Sequence, residues 1–94
     1  MQQLYMITYR LREDLDEEDL RELTQLFAEI GNIPGTIAHH ARLDGRGGFV
    51  LQDAAADPAV GFEATLRYTP WMEFEIVPVA TMEEAFPVIQ RIYG

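Results

Sequence analysis

Two histidines stand side by side, His39-His40, in a 94-residue chain with no other histidine and no cysteine. Imidazole gives or takes a proton near neutral pH more readily than any other side chain, so each is a candidate catalytic acid or base. In an extended segment neighbouring side chains point to opposite faces, so the two cannot share one metal ion within a chain. No carboxylate spacing around them completes a ligand set, and neither a metal nor another cofactor is expected. Alternation sends His40 to the uncovered side of a sheet and His39 towards the helices. A core histidine hydrogen-bonded to backbone is the competing reading of His39.

A second group is Arg10 with Glu73 and Glu75. A carboxylate whose proton affinity is set by burial and a neighbouring guanidinium could serve as a general base. The favoured reading is plainer, an ion pair between adjacent strands. His40 lies about 14 Å from Glu75 across such a sheet, too far for a catalytic dyad in one chain. Thr8 and Gln52 are placed on the same uncovered face as possible ligand contacts. Trp71, after Pro70, is an aromatic that could stack on a flat substrate at a pocket rim, although a core or interface anchor is the commoner use. Asp44-Gly45-Arg46-Gly47-Gly48 lacks the Lys-Ser/Thr of a phosphate loop and precedes no helix, so it reads as a turn.

The balance of charge narrows the partners. Sixteen acidic residues face seven basic ones, all arginine, for a net charge of −9. Such a chain repels phosphate backbones and anionic lipid, which argues against nucleic-acid or membrane partners. The absence of lysine suggests a GC-rich bacterial genome. No basic leader and no run near the roughly 20 apolar residues of a membrane span is visible, so a cytoplasmic protein is expected.

The elements that must position these residues are marked by local signals. Leu4 to Arg12 alternate as a strand, with Tyr5, Ile7 and Tyr9 on one side and Met6, Thr8 and Arg10 on the other. Asp16 is an N-cap, Leu15 and Leu20 form a hydrophobic staple, and Leu20, Leu23, Phe27 and Ile30 recur at helical spacing up to Gly31. Thr36–Leu43 and Gly48–Asp53 read as a hairpin around the Asp44–Gly47 turn. Asp57-Pro58 opens a second helix with Ala59, Phe62 and Leu66 as its buried stripe. Trp71–Val79 is the fourth strand. Thr81 to Glu84 is a capping box for a last helix, which Pro87 should kink or restart. One domain over residues 1–94 follows, an α+β ferredoxin-like βαββαβ unit with sheet order 4-1-3-2 and a C-terminal helix.

Two helices cover only one face of four strands. The helix side is expected to carry Ile37, Ala41, Leu43, Phe49, Leu51, Phe74 and Ile76 beside Tyr5, Ile7 and Tyr9. The other side then holds Ala38, His40, Arg42, Val50, Gln52, Glu73, Glu75, Val77 and Val79, a mixture suited to a cleft between two sheets of a homodimer.

The stretches Gly31-Asn32-Ile33-Pro34-Gly35-Thr36, Asp44-Gly45-Arg46-Gly47-Gly48-Phe49 and Pro70-Trp71-Met72-Glu73-Phe74, with the plan and length, resemble an uncharacterised bacterial family in the dimeric α+β barrel superfamily. The resemblance covers nearly the whole chain. It implies a dimer, and a superfamily that holds cofactor-independent monooxygenases, haem-degrading enzymes, lactone isomerases and members with no known activity. It also implies that His39 is the family's histidine and that the next position varies. The expectation is therefore a small aromatic or carbonyl-bearing ligand, handled by cofactor-independent oxygenation or by isomerisation, with a histidine as acid or base and Arg10 holding an anionic group. The alternative is a non-catalytic binding or assembly module. A cavity lined by a histidine and Arg10 would separate the two.

Overall fold

A computed structural model describes residues 3–53 and 58–94. The elements run β1 (Leu4–Leu11), α1 (Glu17–Ile30), β2 (Thr36–Ala41), β3 (Gly47–Asp53), α2 (Pro58–Tyr68), β4 (Met72–Val79) and α3 (Met82–Tyr93). The four strands form one antiparallel sheet in the order β2-β3-β1-β4. This is the ferredoxin-like α+β arrangement with a helix added at the C-terminal end.

The helix starts follow from their caps. Asp16 accepts from the Asp19 amide at 2.8 Å while the Asp19 carboxylate accepts from the Asp16 amide at 3.0 Å, so two otherwise unpaired donors are satisfied. Thr81 and Glu84 make the same reciprocal pair at the head of α3. That helix runs through Pro87 without restarting. The expected cap at Asp57 lies outside the described residues.

Strand register decides which side chains meet. On the helix-covered face, rows run His39–Val50–Ile7–Ile76 and Ala41–Gly48–Tyr9–Phe74. On the open face they run Ala38–Leu51–Met6–Val77, then His40–Phe49–Thr8–Glu75, then Gly47–Arg10–Glu73. The open face is thus graded, apolar at one end and charged at the other. Ile7, Ile33 and Val50 form the buried core, with Tyr9, Ala64 and Phe74 packed against it.

Three expectations are corrected. β3 presents Val50 and Gln52 to the helices and Phe49 and Leu51 to the open face, the reverse of the sequence reading. The hairpin register, not the apolar content of the strand, sets its facing, and a slip of one residue inverts every side chain. β2 stops at Ala41, so Leu43 falls in the turn and is fully exposed, and a bulge between Thr36 and Ala38 leaves Ile37 largely in solvent. In α2 the stripe Ala59, Phe62, Leu66 faces outward, with Phe62 65% exposed. The small residues Gly61, Ala64 and Thr65, with buried Tyr68, occupy the inward i, i+3, i+4, i+7 positions instead.

Candidate functional site

Between α1 and the helix-covered face of the sheet lies a cleft of about 500 Å³. Leu23 and Phe27 of α1, the loop Gly31–Ile33, and Tyr9, His39, Val50 and Phe74 of the sheet surround it, with Tyr68 and Met72 at one side. Its lining is overwhelmingly apolar. The Tyr68 hydroxyl donates to the Gly31 carbonyl at 2.8 Å and so ties the end of α2 to the end of α1.

Thr24 and Arg42 also reach this largely apolar wall, and within it runs one connected chain of polar side chains. His39 Nδ1 lies 2.7 Å from Asn32 Oδ1, and His39 Nε2 lies 2.6 Å from the Tyr9 hydroxyl. An amide oxygen can only accept, so Nδ1 carries the imidazole proton and the bare Nε2 accepts from the Tyr9 O–H. The ring edges pack as well, with Tyr9 and Phe27 centroids 5.4 and 5.9 Å from that of His39, both nearly T-shaped. Asn32 thus holds the tautomer, the two aromatics hold the plane, and Tyr9 is polarised towards a base.

Tyr9 and His39 sit on β1 and β2, with β3 between them. Strands two apart are separated by roughly 9.6 Å. The phenol bridges that gap by lying across Gly48. A methyl group at Gly48 would come within 2.6 Å of the Tyr9 oxygen and 2.9 Å of its ring carbon Cζ. The absent side chain is the path of the hydrogen bond.

Burial pushes the Tyr9 phenol above its usual range. Burial first, and then the neighbouring charge of His40, hold His39 below its ordinary value of 6.5. Both shifts keep the pair in the neutral, proton-sharing form at neutral pH. The stability contributed by the lowered His39 is complete above pH 6.5 and is lost as pH falls through its folded-state value, because the unfolded chain binds the proton more readily there. Urea unfolding between pH 7 and 5 should show that loss, and a His39→Gln variant should lose less over the same range.

The other sequence candidates lie elsewhere. His40, Thr8, Arg10, Glu73 and Glu75 are on the open face, where His40 packs against Phe49 at 5.1 Å between centroids. Arg10 and Glu73 are strand partners, yet the guanidinium of Arg10 turns to Glu13 at 4.0 Å, and Arg12 takes Glu73 at 3.5 Å. The expected cross-strand pair of Arg10 with Glu73 or Glu75 is therefore replaced. Gln52 is on the helix side, donating to the Pro34 carbonyl at 2.9 Å. Trp71 is partly buried outside the cleft, and its backbone bridges Arg12 and Tyr68. Among the described residues, no three metal-ligating side chains gather.

Sequence reasoning placed His39 on the helix side and Tyr9 on the same side, but missed their meeting and missed Asn32. The usable signal was Gly48, whose lack of a side chain opens β3 to a long side chain from β1.

No helix among the described residues is long and apolar enough to cross a membrane. No curated protein and no solved structure matches the chain. The family model described as Domain of unknown function (DUF3303) matches residues 3–93, and the chain belongs to that family.

Proposed function

We propose that the cleft binds a small, flat, carbonyl-bearing organic molecule and moves a proton on the carbon beside its carbonyl. The observation that carries this reading is the Asn32–His39–Tyr9 chain in a largely apolar cleft of about 500 Å³, within the size range of small-molecule sites. The Tyr9 oxygen keeps lone pairs free while its own proton points at His39 Nε2. A C–H proton of the ligand passes to the Tyr9 oxygen as the phenolic proton passes to Nε2. The ligand becomes an enolate and His39 an imidazolium. Return of a proton at a different carbon completes an isomerisation with no net change in atoms or charge. Cofactor-independent oxygenation begins with the same deprotonation, so the two chemistries share these residues.

The test has two stages. Thermal-shift screening of small aromatic ketones and enols should find a ligand, since one held at 100 times its dissociation constant adds about 2.7 kcal/mol of stability. Deuterium exchange at the carbon beside the carbonyl of that ligand then reads the chemistry. Tyr9→Phe and His39→Gln should each slow exchange by about 10²- to 10⁴-fold while leaving affinity within a few-fold. Exchange in the parent protein should fall as pH drops through the titration of His39, which burial holds below the ordinary 6.5. Binding without exchange would leave a carrier module. Exchange that survives both substitutions would remove the pair from the mechanism.

A further inference from the structure

α3 is amphipathic, and yet its apolar stripe is largely left open among the described residues. Met82, Ala85, Phe86, Ile89 and Ile92 recur along one side, and none of the helix's residues is buried. Phe86 is 49% exposed and Ile92 64%. Only Ala80 and Thr81 separate the helix from β4, and the capping box at Thr81 fixes its direction. The chain measures 53 × 29 × 16 Å with a radius of gyration of 15.8 Å, where a compact chain of this length has about 12 Å.

The surface tells the same story in area. The chain exposes 7021 Å², while a folded monomer of this size exposes about 5,500 Å². The excess, about 1,500 Å² per chain, is what each partner contributes to an obligate homodimer interface. A second unfilled apolar surface is the row Ala38–Leu51–Met6–Val77 on the open face, where Met6 and Val77 are both well exposed. That row is about 14 Å wide over four strands, and the α3 stripe is about 15 Å long. A lipid surface is a poor occupant for α3. Its polar side carries Glu83 and Glu84 against Arg91, where membrane-surface helices are rich in basic residues.

We infer that the missing partner is a second copy of this chain, and that the two copies exchange α3. Each helix lays its apolar stripe on the apolar half of the other chain's open sheet face. The interface is isologous, so two such seams close the assembly at a dimer. The helix-side cleft stays outside the seam, and this inference stands or falls separately from the proton-transfer reading.

Sedimentation equilibrium should find the 94-residue chain dimeric at micromolar concentration. The double variant Phe86→Glu/Ile89→Glu places two charges in the seam and should weaken the dimer at least about a hundredfold. Both positions are exposed in the protomer and glutamate favours helix, so the far-UV circular dichroism of the subunit should not change. Because the chain lacks cysteine, Met6→Cys and Ile89→Cys proteins can be mixed and treated with a short bismaleimide. A covalent species joining one variant to the other is the expected product. A monomeric parent protein, a double variant that remains fully dimeric, or Met6→Cys linking only to itself would each overturn the exchange.

Discussion

Replacing Gly48 with alanine should cost about 3 kcal/mol or more of folding stability, because the new methyl has nowhere to go. It would overlap the His40 backbone carbonyl on one side and the Tyr9 phenol on the other. Backbone cannot yield cheaply in the middle of a sheet, so Tyr9 must swing away and the His39 bond must break. Two readouts should therefore move together. Urea unfolding reports the lost stability, and the NMR titration of His39 should return towards the ordinary value of 6.5. Gly45→Ala is the control, since a methyl there meets nothing within 4 Å and pays only for its positive φ of 75°. If Gly48→Ala were no less stable than Gly45→Ala, the path of Tyr9 across β3 would be wrong.

The second large effect is expected at Ile7, the one fully buried large side chain among the described residues, at 1% exposure. It lies between Val50 and Ile76 in its row and packs with Ile33 from the loop that carries Asn32. Ile7→Ala leaves a cavity that neither strand neighbour can fill, at a cost of about 2–5 kcal/mol. Domains of this kind have total stabilities of about 5–15 kcal/mol, so thermal unfolding should begin many degrees earlier. The alanine substitution on the open face, Met6→Ala, should change unfolding far less when both are measured in the Phe86→Glu/Ile89→Glu background, where the seam is weakened. Equal losses at the two positions would contradict the placement of the core.

The parts of this fold that are legible in sequence are those decided within four residues. The caps at Asp16 and Thr81, the break at Gly31 and the Asp44–Gly47 turn rest on hydrogen bonds or backbone angles that neighbouring residues supply. Element order and the sheet order β2-β3-β1-β4 follow from them, because short connections admit few topologies. The facing of β3 depends instead on how Gly47 and Gly48 set the hairpin register. Phe49 looks like a core residue in sequence, but its ring lies with His40 on the other side. Likewise α2 offers two stripes, and the more hydrophobic one, Phe62 and Leu66, is turned outward because the small one fits closer to the sheet. Hydrophobicity reveals that a surface is to be covered and not by what. The Tyr9–His39 bond escaped notice because it crosses a whole strand, and alternation counts only along one.

The edges of the sheet bear on how copies of this chain can meet. β2 and β4 are the outer strands. β2 has only six residues and is bent by the bulge at its start, while β4 carries Glu73, Glu75 and Pro78, the last without an amide hydrogen. Short, bulged, acidic and proline-bearing edges are poor templates for strand addition. Growth of the sheet from chain to chain, the route to open-ended fibres, is therefore discouraged at both ends. The chain can keep large apolar surfaces on its faces because its borders refuse to polymerise.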